Sequence, residues 1–122
     1  MQGVLSKMNV DTQGKYLTLD WDNISKDVAI NRVQEICDSD PNLEKLQLSR
    51  SPTKGFHCRI YFFRPVNIVE MRHKLNDDPR RLLNDILNRP AHIHDILWSR
   101  KTIHTIPYEE EHLITINNPR VI

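Results

Sequence analysis

At 122 residues the chain is long enough to bury one core and too short for two, so residues 1–122 read as a single domain. A hydrophobic fraction of 39% with 27% charged residues excludes a disordered chain, and a formal net charge of +1 excludes any global electrostatic argument for a nucleic-acid partner. No apolar run approaches the ~20 residues of a membrane span, no signal-peptide pattern opens the chain, and Cys37 and Cys58 lack Cys-x-x-Cys spacing. The expectation is a cytoplasmic protein without membrane or structural zinc.

Residues 1–14 are expected to form a flexible arm or an extra strand. Residues 16–22 alternate as a strand, with Leu17, Leu19 and Trp21 on one side and Thr18, Asp20 and Asp22 on the other. Ser25 is an N-cap for a helix over 26–38, whose apolar stripe is Val28, Ala29, Val33 and Ile36 and which Asp40-Pro41-Asn42 breaks. A strand over 43–50 and another over 56–63 flank the turn Ser51-Pro-Thr-Lys-Gly55, and their short separation predicts an antiparallel hairpin. Phe56, Cys58, Ile60 and Phe62 share one face of the later strand, His57, Arg59 and Tyr61 the other. Residues 67–75 read as helix, and Asp78-Pro79 starts another that runs to Asn88. A fourth strand is predicted over 95–103, with 104–122 as a C-terminal extension holding a short strand at His112–Ile116.

The order is β-α-β-β-α-β, an α+β fold of the ferredoxin-like or RRM-like kind: an antiparallel sheet with both helices on one face and the first and third strands central. If Leu17, Leu19 and Trp21 lie under the helices, Asp20 and Asp22 emerge on the open face. By the same argument from Phe56, Cys58 and Ile60, His57 and Arg59 emerge beside those carboxylates.

Two carboxylates two residues apart on a strand can share one Mg²⁺ or Mn²⁺, and His57, Arg59 and Lys54 can meet the phosphates of a nucleotide. The third carboxylate such chemistry uses is sought at Asp95, with Asp85 and Asp77 behind it. The competing view of Asp-Trp-Asp-Asn23 is an ordinary strand-to-helix loop, since Asp and Asn favour turns. Arg72-His73-Lys74, Arg80-Arg81 and Arg100-Lys101 would form a basic surface for nucleic acid if the fold gathers them, and solvated helix faces if it does not.

Leu19-Asp20-Trp21-Asp22 resembles the first motif of archaeo-eukaryotic primases, and Ser51-Pro-Thr-Lys-Gly-Phe-His57 looks like their second. The resemblance covers residues 16–62 and implies an RRM-like catalytic sheet, in a reduced or degenerate member. It implies Asp20 and Asp22 as metal ligands and Ser51, Gly55 and His57 in a nucleoside triphosphate site. DNA or RNA and other replication proteins are the implied partners. The third motif is not clean, because Asp95 precedes Ile96-Leu97-Trp98 instead of following it.

Two further resemblances are weaker. Lys54-Gly55-Phe56 with Tyr61 partly matches the RNP1 pattern of RNA-recognition domains, but that reading buries His57 and Arg59. His92-Ile93-His94 resembles the metal motif of rolling-circle nucleases, although Tyr108 has no lysine partner near it. The alternative in a different class is a non-catalytic module, an accessory of a replisome, virus or plasmid, that binds through Arg72–Lys74 or Arg80-Arg81.

Overall fold

A computed structural model describes residues 13–52, 54–88, 100–103 and 106–118. Strand β1 (Gln13–Trp21) is followed by helix α1 (Lys26–Ser39) and the hairpin β2 (Leu43–Arg50) and β3 (Phe56–Asn67). Helices α2 (Ile68–Lys74) and α3 (Pro79–Asn88) come next, then β4 (Arg100–Ile103), β5 (Ile106–Glu109) and β6 (Glu111–Asn117). The fold is α+β: a four-stranded antiparallel sheet with three helices.

The caps form where the residue types placed them. Ser25 Oγ accepts from Val28 N at 3.2 Å, and Asp78 holds the first turn of α3 through both its carbonyl and its carboxylate. Both alternations also hold. Leu17, Leu19, Trp21, Phe56, Cys58, Ile60 and Phe62 are buried with Leu43, Leu46 and Leu48 of β2, and Ala29, Val33 and Ile36 of α1 and Ile68 of α2 close over them. Each large aliphatic or aromatic side chain taken from water here contributes about 1.5–3 kcal/mol. The RNP1 reading fails on this packing: Phe56 and Cys58 face the core.

The closing strand departs from the ferredoxin-like arrangement. The sheet order is β1-β3-β2-β6, so β1 and β3 are neighbours as predicted, but β1 lies at an edge and not in the centre. The final strand of the sheet is Glu111–Asn117, beside β2, and the described part of the strand predicted over 95–103 pairs in a separate two-stranded sheet with β5. The outer edge of β1 is already occupied. Asp20 N donates to Asp77 Oδ1 at 2.8 Å, Asp78 N donates to Asp20 O at 3.1 Å, and Arg81 Nη1 donates to Thr18 O at 3.3 Å. Backbone groups satisfied in this way are withheld from a strand ladder at Thr18 and Asp20, whereas the edge of β2 pairs with β6.

A buried ion-pair network fastens this segment. Arg72 is fully buried, with Nε 2.8 Å from Asp77 Oδ2 and Nη1 2.9 Å from Asp85 Oδ2, and Arg81 Nη1 lies 2.9 Å from the same Asp77 oxygen. Val69, Leu82 and Ile86 form the small apolar cluster that joins α2 to α3 around it. Among the described residues, no helix is long and apolar enough to cross a membrane.

Candidate functional site

The register sets Asp20 directly opposite His57 and Thr18 opposite Arg59, so the predicted polar constellation assembles on one face at one end of the sheet. His57 is buried, with Nε2 3.7 Å from Asp20 Oδ1 and Nδ1 2.5 Å from Glu110 Oε1. Glu110, between β5 and β6, also takes a bidentate pair from Arg59 at 2.8 and 2.9 Å. Burial pushes the Glu110 carboxyl up, but its hydrogen bonds and charge contacts with Arg59 and His57 outweigh burial and hold it below the usual range. His57 and Arg59 are thus committed to Glu110, which corrects their expected role as free groups for a triphosphate.

Three carboxylates from two chain segments converge beside this pair. Asp20, Asp22 and Asp78 each offer an oxygen, and these oxygens lie within 4.8 Å of one another. Asp78 is brought there by its own N–H bond to the Asp20 carbonyl. Its Oδ1 also accepts from Arg80 N at 3.0 Å, as a helix cap does. Asp20 Oδ1 is buried without a hydrogen-bond partner. Burial first, and then repulsion from Asp22, raise the Asp20 carboxyl to a pKa of about 6 against the attraction of His57 and Arg81. Three carboxylates drawn this close, one of them with its charge disfavoured by burial, form an arrangement that a cation relieves.

The carboxylates open into a cleft of about 390 Å³ whose walls include Asn23, Arg32, Asn76 and Arg80. Arg32 is held with its guanidinium 5.3 Å from the Trp21 ring centroid. Asn23 and Asn76, the two loop residues that turn the chain here, both have left-handed backbones, at φ 59° and 63°. Such conformations are uncommon outside glycine and concentrate at functional sites. In the β2–β3 turn Gly55 takes φ +99°, where a Cβ would stand 2.4 Å from the Trp21 carbonyl and 2.7 Å from Asp22 Oδ1. Only glycine lets the β2–β3 turn approach Asp22 this closely.

No protein-family model, no curated protein and no solved structure matches the chain significantly. The site therefore stands on its own geometry.

The remaining sequence candidates distribute as follows. Ser51 is buried beside the turn with its hydroxyl unpartnered, and Lys54 is exposed on it. Arg72 and Arg81 are not a nucleic-acid surface: Arg72 has no exposed atoms and Arg81 is drawn onto Asp77 and Thr18. Arg81 turns back to Asp77, and Asp85 pairs with Arg72. Lys74 and Arg80 are exposed, and Arg80 reaches the cleft. Asp95 and the His92–His94 pair lie outside the described residues. Of Arg100 and Lys101, only the backbone, in β4, is described. Burial raises the thiol pKa of both cysteines, so neither offers a reactive thiolate.

Sequence reasoning missed Asp78, Arg32 and Glu110. Asp78 had been recognised only as a helix cap. Glu110 belongs to the run Glu109-Glu-Glu111, whose density of charge on a connection was the available signal.

Proposed function

We propose that this chain is a nucleic-acid protein with a divalent-metal and nucleotide site, a reduced nucleotidyltransferase core of the primase-like kind on an RRM-like sheet whose closing strand has moved. The observation that carries the reading is the convergence of Asp20, Asp22 and Asp78, with Asp20 Oδ1 buried and lacking a hydrogen bond, at the mouth of a cleft carrying two arginines. Asp78 replaces Asp95 as the third carboxylate. Asp20, Asp22 and Asp78 would hold Mg²⁺ or Mn²⁺, which when bound offsets the charge of a triphosphate and its leaving pyrophosphate.

The chain's own residues do the remainder. Arg32 and Arg80 take the phosphate oxygens that the sequence had assigned to His57 and Arg59, while His57, pinned by Glu110, keeps Asp20 in place. In the transfer itself a 3′-hydroxyl oxygen bonds to the α-phosphorus, the bond from that phosphorus to pyrophosphate breaks, and the hydroxyl proton leaves to water. Placing the groups accounts for most of the catalytic effect.

The test is a Mn²⁺ titration followed by NMR line broadening, with and without a nucleoside triphosphate, beside a primer-extension assay. Broadening centred on residues 20, 22 and 78 that appears at lower Mn²⁺ with nucleotide, and is lost in Asp20→Asn/Asp22→Asn, is the expected result. Asp78→Asn should weaken it and Asp95→Asn should not. Broadening spread over all surface carboxylates would sink the site.

The commitment of His57 and Arg59 to Glu110 favours a second reading, a site that binds metal and nucleotide without turnover. Localised broadening with no extension product selects it.

A further inference from the structure

Four residues along the sheet from the carboxylates, the same face carries a different chemistry. Tyr16 of β1 and Tyr61 of β3 are register partners with ring centroids 4.8 Å apart. Lys45, the next residue across on β2, holds its ammonium 5.4 Å from the Tyr61 centroid. Tyr16 is 41% exposed, one of the few large apolar side chains left in solvent among the described residues. Lys15 beside it is exposed as well. The following row of this face is Thr18, Arg59, Gln47 and Thr115, and the one after it begins with Asp20 and His57.

We infer that Tyr16, Tyr61 and Lys45 form a stacking platform for single-stranded nucleic acid. This rests on the reading of the chain as a nucleic-acid protein and supplies the strand-binding surface which that reading lacks. The physical case is the pairing of an exposed π-face with cations: bases stack on aromatic rings without regard to sequence, and lysines beside them meet the phosphates. Gln47 and Thr115 on the next row offer hydrogen bonds to base edges or to a 2′-hydroxyl. A duplex is too wide and too stiff to lay one base on this pair, so the occupant is a single strand. The competing explanation is a cross-strand aromatic pair that serves the sheet alone.

The experiment is fluorescence anisotropy of labelled dT12 and rU12 oligonucleotides with the full chain at low salt, for wild type, Tyr16→Leu, Tyr16→Phe, Lys45→Gln and Asp20→Asn/Asp22→Asn. Leucine keeps apolar bulk and loses the π-face, so Tyr16→Leu should weaken binding about fivefold or more, while Tyr16→Phe binds as wild type. Lys45→Gln should weaken both oligonucleotides and lower the salt dependence, and it carries the test alone if Tyr16→Leu does not fold. The double aspartate variant should bind as well as wild type or better. Equal affinity of Tyr16→Leu and Tyr16→Phe, or no binding of either oligonucleotide, overturns the platform, and Mn²⁺ binding would then be intact. Absence of localised Mn²⁺ broadening in the wild type, with oligonucleotide binding intact, overturns the metal reading and leaves the platform standing. Tighter binding of rU12 than dT12 assigns the 2′-hydroxyl contact, and equal binding assigns the platform to stacking alone.

Discussion

Asp20 is the residue on which stability and chemistry oppose each other. Its carboxyl titrates near 6 instead of the ordinary 3.8, because burial and Asp22 disfavour the charge. Between those two pH values the folded chain binds a proton that the unfolded chain does not, so this group's contribution to stability falls as pH rises from about 4 to about 6. Asp20→Asn should therefore be more stable than wild type at pH 7.5, by on the order of 1 kcal/mol after allowance for solvent screening. Melting curves at pH 7.5 and 4 check this, and the difference should shrink toward the lower pH. Saturating Mn²⁺ should reverse the order at pH 7.5, since ligand binding stabilises only the chain that retains the site. A destabilising residue retained at a cleft is the usual signature of stability given up for binding.

At the scale of elements, two connections bring the site together. The β2–β3 turn reaches Asp22 only because residue 55 has no Cβ, so Gly55→Ala should cost about 1–3 kcal/mol from its left-handed backbone alone, with the steric overlap adding to it. It should also weaken Mn²⁺ binding by displacing Asp22; chemical denaturation and the Mn²⁺ titration read the two effects separately. The α2–α3 connection depends on Arg72. Arg72→Met takes from Asp77 and Asp85 the buried cation that both pair with, leaving Asp77 with Arg81, and a loss of about 3–5 kcal/mol is expected in urea denaturation. Because Asp77 also holds the Asp20 amide and Asp78 the Asp20 carbonyl, the same variant should loosen the carboxylate cluster without touching it. A stability change of only a few tenths of a kcal/mol would show that the network is not what ties the edge of β1.

Across the whole molecule, a near-neutral chain has sorted its charges. The polar sheet face is acidic at one end and aromatic and basic at the other, while Arg72 and Arg81 are withdrawn into internal ion pairs. The salt dependence of single-strand binding should accordingly be shallow. Two or three phosphate contacts predict a slope of log K against log salt near −2, far from that of a broadly basic surface. Anisotropy titrations across a range of salt decide between them; a slope beyond −4 would mean that cations elsewhere carry the binding.

What the sequence determined was everything local in origin. Side chains alternate along a strand with period 2, so Leu17, Leu19 and Trp21 against Asp20, and Phe56 and Cys58 against His57, could be sorted to opposite faces without coordinates. Caps such as Ser25 and Asp78 act within one helical turn and were equally legible. The tertiary structure alone decided which groups from distant segments meet. It placed β6 beside β2, while Asp77, Asp78 and Arg81 bond the β1 backbone at Thr18 and Asp20. It brought a carboxylate oxygen of Asp78 within 4.8 Å of those of Asp20 and Asp22 and drew Arg72 into the interior. A charge pattern records how many cations a chain carries, whereas their exposure depends on partners such as Asp77 and Asp85 that only folding brings within hydrogen-bonding reach.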